Sequence, residues 1–164
     1  MTGETAGFDF GLKTFLTVSD GTQIESPEFF KSSIDEVREA SKSHSTKQKG
    51  SNNREKARLN LARKHQKIVH QRHDFHFKLA SQLTQNYDVL CFEDLNLEGM
   101  KRLWGRKIND LGFSEFLQIV EYYASIRNKK VVKIDRFFPS SNAVRGLAPF
   151  IKNTSDRFNV KTHR

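Results

Sequence analysis

The chain has 164 residues, enough for one domain with a hydrophobic core, and its 28 Lys and Arg against 19 Asp and Glu give a formal net charge of +9. We see no run of the ~18–20 apolar residues that cross a membrane and no signal-peptide pattern, so we expect a cytoplasmic protein without a membrane partner. Cys91 is the only cysteine, which excludes an internal disulfide and a thiolate zinc site. A chain this basic is expected to bind a polyanion.

Three short strands are predicted near the N-terminus. The alternation in AGFDFG at 6–11 indicates a strand with Asp9 in the middle of its small-residue face. FLTV at 15–18 and TQIE at 22–25 flank an Asp20-Gly21 turn signal, which predicts a hairpin.

The middle of the chain carries the excess positive charge. Residues 42–78 contain eleven basic and two acidic residues, against three and eight in 1–41 and fourteen and nine in 79–164. Residues 42–53, rich in Ser, Lys and Asn, predict a flexible loop. Residues 53–86 lack Pro and Gly and predict a long basic helix with a narrow apolar stripe. A charge run is often only a solvated helix face, but an excess this local and one-signed favours contact with phosphates.

The second half of the chain completes an α/β pattern. VLCF at 89–92 predicts a buried strand that ends at Glu93, residues 111–128 predict a helix, and VVKI at 131–134 predicts another strand. A hairpin-led sheet that becomes parallel through helical crossovers indicates the ribonuclease H type of fold, a mixed sheet with flanking helices. The tail at 142–164 has no clear periodicity and is expected to be irregular.

Two carboxylates are candidates for chemistry. Asp9 lies within a strand and Glu93 stands where an apolar strand ends, and if these strands are parallel neighbours the two side chains face each other. Their repulsion would be relieved by a divalent cation such as Mg²⁺, which prefers oxygen ligands. An aspartate within a strand is also compatible with an edge or hydrogen-bonded position.

Three histidines at spacings of three fall on the predicted long helix: His70, His73 and His76. Such spacing can gather metal ligands on one face. Successive steps of three residues drift off that face, and the surroundings are basic, so a solvated or phosphate-facing side is favoured over a metal site.

Five stretches in order resemble the TnpB (OrfB) family of transposon-encoded, RNA-guided DNA nucleases. The stretches cover residues from about 6 to 142 and are GFDFGLKTFLTVSDG (7–21), GSNNREKARLNLARKHQKIVHQRHDFHFKLA (50–80), VLCFEDLNLEGM (89–100), INDLGFSEF (108–116) and KKVVKIDRFFPSSN (129–142). The resemblance implies a RuvC-type domain of ribonuclease H fold over residues 1–141.

The resemblance also implies roles for individual residues. Asp9 in GFDFG and Glu93 in FEDLN match catalytic, Mg²⁺-binding carboxylates, whereas Asp94 matches a position that binds no metal and Asp135 one with a structural role. The basic helix would lie against guide RNA paired with target DNA, a duplex read through its backbone and shape. The cations implied in that contact are Arg54, Arg58, Arg63, Lys64, Lys67, Arg72 and Lys78.

The chain also departs from the family pattern. The family continues into a zinc ribbon built on four cysteines and then a third catalytic aspartate, but no cysteine follows Cys91, so no zinc is expected. Asp156 in SDRFN is a faint echo of the third aspartate to which we do not transfer that role. These departures lead us to expect a truncated product of a degraded or frameshifted transposon gene.

Three functions are compatible with this pattern. The first is a Mg²⁺-dependent, two-metal DNA endonuclease, weak or inactive for want of a third carboxylate. The second is a fragment that binds RNA or DNA without cutting it. The third is a transposon remnant with no function.

Overall fold

A computed structural model describes residues 3–95, 99, 102, 105 and 108–134. Its centre is a five-stranded mixed sheet in the order β3-β2-β1-β4-β5. β1 pairs antiparallel with β2, which pairs antiparallel with β3. On its other side β1 pairs parallel with β4, which pairs parallel with β5. The strands are β1 (Thr5–Phe10), β2 (Thr14–Val18), β3 (Gln23–Glu25), β4 (Val89–Glu93) and β5 (Lys130–Ile134).

The helices of the described residues include α1 (Phe29–Ser32), α2 (Ile34–Thr46), α3 (Asn52–Asn86) and α4 (Phe113–Ile126). The five predicted strands, the long helix and the helix before the last strand are confirmed, whereas α1 and α2 between β3 and α3 are additional elements. The architecture is that expected of a ribonuclease H-like α/β fold. Among the described residues, no helix is both long and apolar enough to cross a membrane. Asp135, Asp156 and the tail at 142–164 lie outside the described residues.

The predicted alternation of β1 is confirmed and divides the sheet into two faces. Ala6, Phe8 and Phe10 are buried, whereas Asp9 is exposed. Phe8 and Phe10 stack on Phe92 of the neighbouring β4, with ring centroids 4.8 and 5.6 Å apart. The helices α3 and α4 cover this aromatic face, so the core lies between it and the two helices. Asp9 therefore lies on the opposite face.

A β-bulge in β2 brings the Phe15 ring into the core. The pairing of β2 with β3 shifts register between Thr14 and Leu16, and as a result Phe15 and Leu16 are both fully buried despite being adjacent. The chain enters this bulge at Gly11, where an added Cβ would lie 2.5 Å from the carbonyl oxygen of Thr14. Only glycine fits that close approach of backbone to backbone.

The prediction of a flexible loop at 42–53 is wrong for most of that stretch. Residues 42–46 are the end of α2, and α3 already begins at Asn52. Ser51 is the N-cap of α3, because its hydroxyl accepts a hydrogen bond from the Arg54 backbone N–H at 3.2 Å. α2 and α3 form a helical hairpin whose buried residues are Val37, Ala40 and Ile68. Hydrophobic periodicity does not predict α2, because most of its residues are polar.

Candidate functional site: a carboxylate pair and a basic helix

Asp9 and Glu93 lie near the C-terminal ends of two neighbouring parallel strands, β1 and β4. The register of β1 and β4 pairs Phe8 with Phe92, and Asp9 and Glu93 are the next residue on each strand. Because side chains alternate along strands, both carboxylates lie on the face opposite the helices. The structure thus brings together the two residues that the sequence singled out.

The electrostatics of the pair reflect this proximity. Burial raises the pKa of the Glu93 carboxyl, and repulsion from Asp9 raises it further. Burial also raises the pKa of Asp9. Among the described residues, neither carboxylate forms an ion pair. Two uncompensated carboxylates side by side are a costly arrangement that a bound cation would stabilise.

A shallow cavity of about 290 Å³ adjoins Glu93 at the ends of the strands. Its lining includes Glu93 and Asp94 and, on the helix side, the ion pair between Lys133 and Glu121 at 2.9 Å. The Asp94 backbone N–H donates to the Ile134 carbonyl at 2.8 Å, which extends the pairing of β4 with β5 past Glu93. Within the described part of the chain, no group of three or more His, Cys, Asp or Glu is placed to hold a metal. Among the described residues, the candidate site therefore consists of two carboxylates, Asp9 and Glu93.

The seven cations predicted to meet nucleic acid do not share one environment. Arg54 and Arg72 serve the fold: Arg54 donates to the Lys47 carbonyl at 2.9 Å, and Arg72 to Glu115 at 3.2 Å and to the Asn109 carbonyl at 3.0 Å. Some of the N–H donors of these two residues are thus engaged within the fold, and their contact with nucleic acid stays a prediction.

Three other predicted cations are neutralised by neighbours on the surface. Arg58 pairs with Glu55 at 2.6 Å, Lys64 with Glu36 at 2.6 Å and Lys78 with Asp74 at 2.7 Å. Exposed pairs of this kind contribute only about 0–1 kcal/mol, so a phosphate can compete for the cation, but each pair carries no net charge.

The remaining predicted cations, Arg63 and Lys67, are exposed and make no ion pair among the described residues. Lys56, which was not predicted, shares both properties. The spacings of seven and eleven place these three side chains on one side of α3, opposite the stripe that includes Ile68 and Leu79. We call Lys56, Arg63 and Lys67 the cation row. Its spacing is visible in the sequence, but the pairing of the other cations is not.

His70, His73 and His76 of α3 do not share one environment. His73 contacts the Glu115 carboxylate at 2.5 Å, and His76 is buried with its Nε2 3.0 Å from the Leu111 carbonyl oxygen. Burial lowers the pKa of His76 to about 4, so its ring is neutral at pH 7. His70 is exposed and the His73 side chain keeps 45% of its exposure. The expectation of a solvated or phosphate-facing side is wrong for His76, which is buried against the segment before α4.

Comparison with known proteins decides the family. Residues 1–103 match the OrfB_IS605 family, described as "Probable transposase". The chain belongs to this family. The matched residues include Asp9 and Glu93, so the candidate site lies within the part of the chain that defines membership of the OrfB family.

Curated relatives of the chain carry names of the same kind. A "Putative RNA-guided DNA endonuclease" of Streptomyces pristinaespiralis is 33% identical over 156 residues, which are 90% of this chain and 39% of the relative. "Putative RNA-guided DNA endonuclease InsQ" of Escherichia coli K12 is 29% identical over 96 residues, 58% of this chain and 24% of the relative. A "TnpB-like protein" of Acanthamoeba polyphaga mimivirus is 24% identical, over 81% of this chain and 29% of the relative. The chain thus spans well under half the length of these OrfB/TnpB relatives.

Proposed function

We propose that this chain supplies two carboxylate ligands, Asp9 and Glu93, to a divalent-metal site for cleaving DNA, and binds nucleic acid through the cation row of α3. One observation carries the proposal: two carboxylates on adjacent parallel strands, with pKa values raised and no ion-pair partner among the described residues. The relatives' names, which specify RNA guidance and DNA cleavage, supply the substrate class and the expected partners.

The donor set fits Mg²⁺ because both ligands are carboxylate oxygens and the site lies open at the edge of the sheet. When bound, such an ion activates a water and stabilises the leaving oxygen of a phosphodiester. The role of the chain is to hold the two carboxylates in register. The backbone pairing of β1 with β4 holds the two carboxylates in register. Phe8 and Phe92, which directly precede Asp9 and Glu93, stack on each other and fix the two strands at this point.

We expect weak or absent cleavage by this chain alone. A site of two metal ions needs ligands enough for both, and only two carboxylates are gathered in the described residues. The second candidate function, binding without cleavage, is favoured by that same observation. The two functions share the nucleic-acid surface and differ only in chemistry.

A plasmid-nicking assay with Mg²⁺ or Mn²⁺ separates these functions. Asp9→Asn removes a ligand charge, and Asp94→Asn is the matched control because Asp94 is adjacent to the pair but outside it. Slow nicking that is lost in Asp9→Asn and kept in Asp94→Asn supports the nuclease. Binding of DNA without nicking supports the second function. Robust cleavage that survives Asp9→Asn contradicts the proposed site.

The nucleic-acid surface is tested by the dependence of affinity on salt. Single-stranded nucleic acid shows a slope of log affinity against log salt of about −0.7 per phosphate contact, so replacing Lys56, Arg63 and Lys67 with Ala should flatten that slope by about 2. The matched control replaces three ion-paired cations outside α3, Lys31, Arg38 and Lys133, for the same change in net charge. Equal losses in both triple variants would mean that net charge alone, not the cation row, governs binding.

A further inference from the structure

An aromatic patch lies on the surface where α3 and α4 run side by side, away from the carboxylate pair. We define it by Phe77, Tyr122 and Tyr123. Phe77 is 41% and Tyr122 56% exposed, unusually high for rings of this size. The three rings are contiguous: Tyr123 meets Phe77 at a centroid distance of 6.2 Å and Tyr122 at 5.6 Å, both nearly edge-on. Tyr123 is partly buried against the core, whereas Phe77 and Tyr122 are exposed.

Contacts made by Arg127 hold the patch in place. The Arg127 guanidinium lies 4.8 Å from the centre of the Tyr123 ring, and Arg127 also donates to the Ser81 carbonyl at 2.6 Å. These contacts fix Tyr123, and its edge in turn supports Phe77. A ring positioned before binding loses little conformational entropy when a flat partner stacks on it.

An open groove of about 340 Å³ borders Phe77 between the two helices. It is lined by Phe77 and Tyr123 together with hydroxyl, amide and ammonium groups, which belong to Ser81, Gln82, Gln85 and Lys78. Hydrogen-bonding side chains beside exposed rings suit a ligand that is flat, apolar on its faces and polar at its edge. A nucleobase has these properties.

The patch continues the cation row along α3. Lys56, Arg63, His70 and Phe77 are spaced by seven residues and all are exposed. A heptad step drifts by only ~20° around a helix, so the four side chains follow one side of α3. Phe77 lies about 15 Å beyond Lys67 at 1.5 Å per residue.

Carboxylates near the patch do not oppose a polyanion. Asp74 pairs with Lys78 at 2.7 Å, Glu115 with Arg72 at 3.2 Å, and Glu121 with Lys133 at 2.9 Å. The cations of the row, in contrast, have no ion-pair partner in the described part of the chain. The charge that this surface presents is therefore positive.

We propose that this surface binds single-stranded nucleic acid, with bases stacked on Phe77 and Tyr122 and phosphates against the cation row. The inference rests on the proposed binding of nucleic acid and specifies its form: an unpaired strand, recognised partly through base faces. Stacking is tolerant of sequence because every base has a π face.

Fluorescence anisotropy with two labelled 12-mers tests the inference on the full chain. One is oligouridylate, and the other is an abasic strand with the same number of phosphates. Stacking contributes ~1–3 kcal/mol per base, so Phe77→Ala and Tyr122→Ala should each weaken binding of the uridylate about tenfold. Binding of the abasic strand should not change, and Phe77→Trp should restore binding of the uridylate.

Ile126→Ala is the matched control, because Ile126 is 58% exposed on the same helix but has no ring to stack. It should bind both strands as the parent chain does. Sedimentation of the same variants detects the rival occupant, a second copy of the chain.

Three results would overturn the inference. If Phe77→Ala binds the uridylate as tightly as the parent chain, base stacking fails while the proposed binding of nucleic acid stands. If neither strand binds the parent chain, that binding fails as well. A dimer dissociated by both Ile126→Ala and Phe77→Ala, with strand binding unchanged, would assign the patch to self-association.

Discussion

The two halves of α3 belong to one continuous helix yet owe their stability to different causes. From Ile68 to Asn86 the helix buries six residues, of which Leu79, Ala80 and Leu83 belong to the main core: Ile68, His76, Leu79, Ala80, Leu83 and Thr84. From Asn52 to Lys67 it buries none. The C-terminal half of α3 is therefore part of the core, and its N-terminal half projects away from the core. The projecting half carries the cation row.

This comparison explains why the basic segment is tolerated. Six cations packed against a core would have to be desolvated or paired, whereas in the projecting half most of the six are exposed and keep their hydration. The core half is paired accordingly: Arg72 meets Glu115, and Arg127 bonds to Ser81 and Thr84. Positive charge that remains unpaired lies where a ligand has access to it.

The largest expected effect comes from the same substitution made in each half. Leu83→Ala leaves a cavity under a leucine that is 4% exposed, and should lower the free energy of unfolding by about 3 kcal/mol. Leu59→Ala acts on a leucine that is 40% exposed and should change it by less than about 0.5 kcal/mol. Urea titrations monitored by circular dichroism measure both. Equal losses would show that the projecting half shares the core's cooperative packing.

Acid should weaken the core half through His76. Its pKa is lowered to about 4 in the fold, against about 6.5 in the unfolded chain, so the unfolded state takes up the proton first. Stability contributed by the neutral ring is complete above pH 6.5 and is lost as the pH falls towards 4. The loss between pH 7 and pH 5 is about 2 kcal/mol.

A variant isolates this effect from other titrations. His76→Gln keeps a donor for the Leu111 carbonyl but does not titrate, so it should be less stable at pH 7 and lose less than the parent chain on going to pH 5. Parallel losses in the two proteins would assign the acid sensitivity to other groups.

A smaller effect is expected at the tip of the projecting half. Ser51→Ala removes the N-cap of α3 and costs about 1 kcal/mol. Because this end lies outside the core, faster amide exchange should be confined to the first turns of α3, with exchange at Leu79 and Leu83 unchanged. Uniformly faster exchange along the helix would mean that α3 opens as one unit.

The smallest expected effect concerns the carboxylate pair. Asp9→Asn removes the repulsion that raises the pKa of Glu93, and should stabilise the metal-free protein at pH 7 by about 0.5 kcal/mol, the scale of exposed charge pairs. The sign follows from linkage: a carboxyl whose pKa is raised in the fold destabilises it above that pKa, and the penalty fades as the pH falls. Thermal unfolding in EDTA measures the gain. A loss of stability would indicate that Asp9 has a structural partner.

Much of the fold could be predicted because it follows from periodicity. The alternation around Phe8 and Phe10, the apolar run of β4 and the long stretch without Pro or Gly each correspond to an element of the structure. α2 could not be predicted, since only Val37 and Ala40 are buried and its stability comes from contact with α3.

The candidate site divides in the same way. Local patterns place Asp9 within its strand and Glu93 at the end of its strand, but the two were predicted to face each other only on the condition that these strands are parallel neighbours, which the structure shows. Whether a cation is paired depends on residues distant in sequence. Lys64 and Glu36 are 28 residues apart, and Arg72 and Glu115 are 43 residues apart. Such pairings exist only in the folded chain.

Binding of Mn²⁺, an oxygen-preferring substitute for Mg²⁺, tests the carboxylate pair most directly. Electron paramagnetic resonance of free Mn²⁺ titrated with the chain should show one saturable site in the parent protein and in Asp94→Asn, and its loss in both Asp9→Asn and Glu93→Gln. No binding by the parent chain, or equal binding by Asp9→Asn, would contradict the metal site.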